Sequence, residues 1–407
     1  MIVGVDLRPA LLSTTGVARA ARQCYLALRD RPELTVRGFG ASWARPRYGA
    51  DLPDVVAPRL PGRLAAWMAP LGFSVETLMG RLDVFQHTDL VFPPVRRAAQ
   101  VLFVHDLLFL GPSQGVASRV STSGGAAASA AGAPREGAGR GWHDPGFAER
   151  VGPRLFARAA EAAAVVVPHT RVADDALRLG LVEPERLVVL PLGLDHVSPR
   201  PEPDDEQRVA AVMARAGLPR RSGDELLVLV PGTREPRKNQ LALLHAFMRL
   251  PVGLGARLLL VGPAGWGCPE LERVLLDRAC LRDERGEARV AAAGEVSEPD
   301  LAALMRRADV VAYPSLAEGY GLPALEAMAL GRAVLTSRGT PMGDLGGDAA
   351  LCIDPTDPSS LERGLSELLR DASLRAVLSN AAPARVAGLT WASHAEGLSR
   401  VYQAVLA

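Results

Sequence analysis

Short apolar runs alternate with amphipathic stretches of helical length along this chain, the pattern of a parallel α/β sheet. In the first half the runs predict strands at Ile2–Asp6, Val84–Gln86, Val101–His105, Val165–Val167 and Leu187–Leu190. A helix is predicted after the Thr14–Gly16 turn, through Arg22 to Leu28, and another leading into Ala157–Ala164. The second half repeats the rhythm more cleanly. Strands are predicted at Leu226–Val230, Arg257–Val261, Arg289–Ala292, Val310–Tyr313 and Ala333–Thr336. Helices are predicted at Lys238–Leu250, Pro269–Ala279, Glu298–Arg307, Pro323–Leu330, Pro358–Arg370 and Leu374–Val386.

Each half is long enough for a Rossmann-like domain, and the Pro- and acid-rich stretch Pro199–Asp205 reads as the linker. The expected division is an N-terminal domain over 1–198, a C-terminal domain over 199–390, and a helix over 391–407 free to pack back on the first domain. Ser113–Gly141 breaks the pattern. Gly, Ala and Ser dominate it, so it cannot bury enough apolar surface to offset its ordering entropy. It reads as a mobile loop of the first domain, either an inert insertion or a lid.

Composition narrows the class. A chain of 407 residues is too long for one hydrophobic core and suggests about two domains. Hydrophobic residues at 48% and charged residues at 22% are globular values. A formal charge of +1 demands no nucleic-acid partner, and Arg45/Arg47 and Arg96/Arg97 read as solvated surface. Cys24, Cys268, Cys280 and Cys352 lie far apart with no C-x-x-C, which argues against a zinc ribbon, a redox motif or a disulfide framework. Free thiols in a reducing compartment are expected. The opening MIVGVDLRP has no basic segment and meets Asp6 too soon for a signal peptide. No apolar run approaches the roughly 18 residues of a membrane span. A cytoplasmic location is expected, with peripheral contact at the inner face of the membrane left open. Of the 46 Lys plus Arg residues, Lys238 alone is lysine. A strong bias toward arginine spared one position.

That position lies in a motif. Strand Leu226–Val230 leads into Pro231-Gly232-Thr233-Arg234-Glu235-Pro236-Arg237-Lys238-Asn239. Ligands of parallel sheets bind beyond the carboxyl ends of strands, where this cationic loop falls. Arg237 and Lys238 could neutralise a departing diphosphate. The bland alternative is a solvated cationic helix start, which the helix dipole disfavours. A second loop, Pro314-Ser315-Leu316-Ala317-Glu318-Gly319-Tyr320-Gly321-Leu322-Pro323-Ala324-Leu325-Glu326, follows strand Val310–Tyr313. Gly319 and Gly321 allow close backbone approach, Pro323 suits a first helical turn, and the free N–H groups there form an anion site. Glu318 and Glu326 can each accept hydrogen bonds from two sugar hydroxyls. No G-x-x-x-x-G-K-[ST], no convincing G-x-G-x-x-G, no D-x-D and no H-E-x-x-H is present, so metal-dependent phosphate handling has no obvious ligands.

These motifs together resemble the retaining GT-B glycosyltransferases of family 4, over nearly the whole chain. The E-x7-E pattern of Glu318 and Glu326 around Gly-Tyr-Gly-Leu-Pro is that family's strongest signature. Gly232 and Thr233 through Asn239 resemble a branch rich in mannosyl- and rhamnosyltransferases for surface polysaccharides. Val261-Gly262-Pro263-Ala264-Gly265-Trp266, Asp309–Ser315, Gly347-Asp348-Ala349-Ala350 and Asp354-Pro355 also fit. In the first half, Asp6-Leu7-Arg8-Pro9 with Thr15-Gly16-Val17-Ala18-Arg19 is similar to the first strand and glycine turn. His105-Asp106-Leu107 resembles the H-D-L after a strand, and Pro191-Leu192-Gly193-Leu194-Asp195 the P-x-G-x-D at the domain boundary. His169 stands where Ser is common, and Gly343-Asp344 where Pro-Glu is usual.

The resemblance implies two Rossmann-like domains facing across a cleft, the first for the acceptor and the second for a nucleotide sugar. Gly16 would lie near the donor phosphates or the acceptor. Gly232, Thr233, Gly319, Tyr320, Gly321 and Leu322 would line the donor. Arg237 and Lys238 would stabilise the leaving diphosphate, Glu326 would hold the ribose, and Glu318 and His105 would orient the sugar. No cofactor and no metal is implied. GDP-mannose is the first donor by branch, with rhamnose, glucose and N-acetylglucosamine donors open. The acceptor would be a saccharide or lipid-linked saccharide. Two other classes stand beside this one. A sugar-nucleotide epimerase of the same shape would change the donor without an acceptor, and a non-catalytic nucleotide-sugar-binding protein would bind without turnover. A pyridoxal-dependent phosphorylase would need its Schiff-base lysine elsewhere than at Lys238.

Overall fold

The computed structural model describes residues 1–44, 52–59, 72–111, 146–218, 225–277, 281–283 and 286–407. The described residues divide into two units: those within 1–107, 146–196 and 388–407 form the first, and those within 108–111 and 197–387 the second. The Gly/Ala/Ser-rich stretch 113–141, Arg45, Arg47 and Cys280 lie outside the described residues.

Among its described residues the first unit holds seven parallel strands: β1 (Ile2–Asp6), β2 (Thr35–Phe39), β3 (Val55–Val56), β4 (Val84–His87), β5 (Ala99–Phe103), β6 (Ala164–Val167) and β7 (Leu187–Val189). Their order is β3-β2-β1-β4-β5-β6-β7, so successive strands run outward in opposite directions from the β1/β4 pair. β2 and β3 had no sequence signal. Thr35-Val-Arg-Gly-Phe39 mixes a charge and a glycine into the run, and Arg37 is accommodated because its Nη1 reaches the Met79 carbonyl at 2.6 Å.

Helix Trp391–Ala404 belongs to this unit. Its docking explains the Pro191–Asp195 motif. The Asp195 carboxylate accepts the Trp391 amide at 2.8 Å, Leu194 N donates to Leu389 O at 2.8 Å, and His394 Nδ1 meets Pro191 O at 2.9 Å. Gly193 is there because a Cβ would sit 2.2 Å from Trp391 N. Further along, Tyr402 donates to Gln86 in β4, and Ser399 to Glu33 at 3.0 Å.

Among its described residues the second unit holds six parallel strands: β8 (Leu226–Pro231), β9 (Ala256–Val261), β10 (Val290–Ala292), β11 (Val310–Tyr313), β12 (Ala333–Ser337) and β13 (Leu351–Ile353), ordered β10-β9-β8-β11-β12-β13. Its core packs β8, β9, β11 and β12 against Leu243, Phe247, Leu365 and Leu368 of flanking helices. Central strands such as β8 are apolar on both faces because helices cover both. The stretch read as a linker ends where helix Asp205–Ala216 begins, and Asp205 pairs with Arg306 at 2.6 Å. The acid run was therefore partly a helix start, as acids favour that end of the dipole. Cys24, Cys268 and Cys352 are free thiols. Among the described residues no helix is long and apolar enough to cross a membrane.

Candidate active site

In the second sheet the strand order reverses direction between β8 and β11, which pair directly through Val310–Val228 and Val311–Leu229. Loops leaving two such strands diverge and open a crevice at their carboxyl ends. The two motif loops are the ones that leave here.

The first loop is fixed by the neighbouring strand β9. Gly232 N donates to Val261 O at 2.8 Å and Arg234 N to Pro263 O at 3.1 Å. Gly262 has φ +143°, and a Cβ on it would lie 2.3 Å from the Gly232 carbonyl oxygen, so only glycine permits this approach. Arg234 locks the pair, with Nη1 on Gly262 O at 2.9 Å and Nε on Glu272 at 2.6 Å.

The loop then makes a 3-10 turn, Pro236–Lys238, and a left-handed residue, Asn239, with φ +58°. Asn tolerates that conformation, and its Nδ2 is held by Pro355 O at 2.9 Å. The helix starts at Gln240. The sequence places the helix start at Lys238; Pro236 instead favours the tight turn, so Lys238 precedes the helix. Its side chain is buried rather than solvated.

The second loop is stitched to the first by Leu316 N, which donates to Arg237 O at 2.7 Å. Glu318 then receives both cations. Lys238 Nζ reaches Oε1 at 2.5 Å and Arg237 Nη1 reaches Oε2 at 2.7 Å, with the Lys238 and Glu318 side chains 8% and 6% exposed. Arg237 Nε also binds Glu235 at 2.8 Å. Lys238 Nζ donates further to the Tyr313 hydroxyl at the end of β11. Burial works against charge on Glu318, but Arg237 and Lys238 outweigh it and hold the carboxyl at about 2. Burial and Arg237 push the Lys238 ammonium below its ordinary value, while Glu318 pulls the other way. Burial, then the Glu318 charge, raises Tyr313 well above the usual phenol range, so it stays neutral. Tyr313 was not singled out in the sequence. Its one signal is a hydroxyl closing an otherwise apolar strand, Val-Val-Ala-Tyr.

The rest of the second loop leads into helix Leu322–Ala329. Gly321 is its N-cap, with φ +84° and no side-chain cap. Gly319, Tyr320 and Leu322 are buried at this turn, and Glu326 is 1% exposed on the same helix. Thr233 is half-buried beside Gly232, whose backbone runs along the Lys238 stem.

Two further candidates, Gly16 and His105, belong to the first unit. Gly16 is exposed at the start of helix Gly16–Arg29, where a Cβ would meet nothing within 4 Å. His105 follows β5, with Nε2 3.1 Å from Thr88 O and its ring 4.7 Å from that of Phe103. Burial lowers its pKa, opposed by Asp89 and Asp106, so the imidazole is held neutral. His169, the departure from Ser, does the work of a serine cap: Nδ1 accepts Arg171 N at 3.2 Å at the start of helix Thr170–Arg178.

At the end of β1, Asp6 Oδ1 accepts Arg8 N at 3.0 Å, while Oδ2 is buried without a partner. Burial pushes this carboxyl up to about 7, with Arg8 opposing and Asp89 reinforcing the rise. A raised carboxyl favours the fold as the neutral acid. That contribution is complete below the ordinary aspartate range and is lost as pH rises toward about 7. Asp6→Asn mimics the neutral acid at every pH. Its gain in Tm over the parent should be small near pH ~4 and level off above pH ~7. A gain independent of pH in thermal melts would contradict this.

Residues 219–385 match the family model described as Glycosyl transferases group 1. An O-antigen chain mannosyltransferase B of Escherichia coli is 35% identical over 164 residues, 39% of this chain and 41% of the relative. A D-inositol 3-phosphate glycosyltransferase of Mycobacterium avium (strain 104) is 32% identical over 248 residues, 60% of this chain and 55% of the relative. The chain thus spans less than two thirds of either relative. Among solved structures, a sucrose-phosphate synthase from Thermosynechococcus elongatus aligns with TM-score 0.68 at 20% identity, over 99% of this chain and 98% of that one. Anabaena HepE in complex with UDP-glucose aligns with TM-score 0.69 at 16% identity, over 99% of both chains.

Proposed function

We propose that this chain, whose residues 219–385 form a group 1 glycosyltransferase domain and which has the GT-B fold, transfers a hexose from a nucleoside diphosphate sugar to a hydroxyl with retained configuration. The observation that carries the reading is the meeting of Lys238, Arg237 and Glu318 where the strand order of the second sheet reverses. In the reaction the bond from the sugar C1 to the phosphate oxygen breaks and a bond from C1 to the acceptor oxygen forms on the same face. The acceptor proton passes to the leaving diphosphate. Arg237, Lys238 and the backbone around Gly319–Leu322 meet the charge that develops there. Glu326 holds the ribose hydroxyls and Glu318 the sugar hydroxyls; Gly232 and Thr233 shape the diphosphate side. His105 and Gly16, in the first unit, keep the donor-facing roles that the sequence resemblance implies. The scheme invokes no metal ion and no cofactor.

The proposed donor is GDP-mannose, supported by the branch motifs and by the mannosyltransferase among the relatives. The proposed acceptor is a saccharide or lipid-linked saccharide of a surface polysaccharide or glycoconjugate, met in the cytoplasm or at the inner face of the membrane. A thermal-shift screen of GDP-, UDP- and dTDP-sugars tests the reading. A ligand at 100 times its Kd stabilises the state it binds by about 2.7 kcal/mol, a readable rise in Tm. GDP-mannose should give the largest rise, and Glu326→Ala should lose most of it. No response to any nucleotide sugar would overturn the reading, and an undiminished response in Glu326→Ala would remove the ribose role. Change of the free donor without an acceptor, followed by nuclear magnetic resonance, would favour an epimerase instead.

A further inference from the structure

We infer that Glu318 makes the site discriminate between a sugar nucleotide and the bare nucleoside diphosphate left after transfer, and so favours release of that product. This rests on the donor-site reading given above. Glu318 holds both of the cations that a diphosphate needs, at 2.7 and 2.5 Å. Arg237 is shared with a second carboxylate, Glu235. Two cations and two carboxylates therefore leave this cluster with no net charge to offer an anion. Any incoming diphosphate must take Arg237 and Lys238 from Glu318, or share them.

That exchange has a different cost for the two ligands. Glu318 is 6% exposed, so solvent does little to replace lost donors, and a buried carboxylate stripped of its partners is costly. Burial opposes the charge on this carboxyl and Arg237 and Lys238 are what hold it, so their loss raises the free energy of the carboxylate. A sugar nucleotide offsets the loss because its sugar hydroxyls can donate to the same oxygens. A nucleoside diphosphate brings no hydroxyls there and adds a further negative charge on its terminal phosphate. It takes both cationic donors from Glu318 and sets the carboxylate facing an anion. The same carboxylate therefore welcomes the substrate and opposes the product.

Isothermal titration of the full chain with GDP and GDP-mannose, and with UDP and UDP-glucose as the second pair, tests this. Glu318→Gln keeps the shape and removes the charge. It should bind the nucleoside diphosphate about tenfold or more tightly than the parent, while the sugar nucleotide gains less or loses affinity. The ratio of the two dissociation constants should narrow accordingly. Glu318→Asp, which withdraws the carboxylate by one methylene, should shift the ratio the same way by less, and serves if the first variant does not fold. An unchanged or wider ratio in the folded variants, with normal binding by the parent, would overturn the inference and leave the glycosyltransferase reading standing. A parent that binds neither pair would remove both.

Discussion

Lys238→Ala is expected to lower sugar transfer by about 10²–10³-fold, the scale of losing one preorganised charge at a developing anion. The side chain sits where the strand order of the second sheet reverses, buried, with Nζ on Glu318 and the Tyr313 hydroxyl. Its removal deletes half of the local positive charge and leaves Glu318 with one cation in place of two. The same change should destabilise the second unit, by up to about 3 kcal/mol if Arg237 fails to compensate for the buried carboxylate. Lys238→Arg is no rescue. A planar guanidinium is wider than an ammonium and must displace Tyr313 or Glu318 to fit. Steady-state kinetics beside a circular-dichroism melt separate the two effects. A folded Lys238→Ala variant with near-normal turnover would remove Lys238 from the mechanism.

The second large effect is expected at Gly262. An alanine Cβ there would meet Gly232 O at 2.3 Å, Gly232 C at 2.5 Å and Thr233 N at 3.0 Å, all backbone atoms, at a φ of +143°. No rotamer relieves that clash. The ends of β8 and β9 must part, breaking the bond from Gly232 N to Val261 O and shifting the loop that carries Lys238. Strain and overpacking together predict a loss of about 3 kcal/mol or more in urea unfolding, with weaker donor binding in the folded fraction. Gly253→Ala is the control, since a Cβ there meets nothing within 4 Å, and its change should stay within about 0.5 kcal/mol. Equal stability of the two variants would show that the strand ends can separate at little cost.

Much of the second unit was legible because its elements carry undiluted signals. Helix Glu298–Arg307 follows a Ser297 cap with Pro at its second position, and helix Pro358–Arg370 follows an Asp357 cap. Strands β8 and β11 are unbroken apolar runs, and the lone lysine drew attention to itself. The ion pair between Lys238 and Glu318 was not legible. Those residues are 80 positions apart, and only the pairing of β8 with β11 brings them together. Local pattern carries no information on that order. Tyr313 escaped for a related reason, since an aromatic residue at a strand end reads as core until its hydroxyl is seen on Lys238. The helix start at Gln240 was misplaced by two residues because Asn239 adopts a left-handed backbone that tertiary contact with Pro355 secures. β2 escaped because a charge and a glycine dilute its run, and β3 because it is an edge strand of only two residues.

The docking of residues 388–407 onto the first unit has a consequence for how the chain is made. The first unit's sheet leaves the ribosome early, but the helix bearing Leu398 and Tyr402, both fully buried there, is translated only after the whole run 197–387. Domains generally fold as units during synthesis, in the order they emerge. Here that order is inverted for completion: the second unit can close while the first still waits with an uncovered apolar face. The unit that begins first finishes last, and a nascent chain stalled near residue 387 holds one finished unit and one open one.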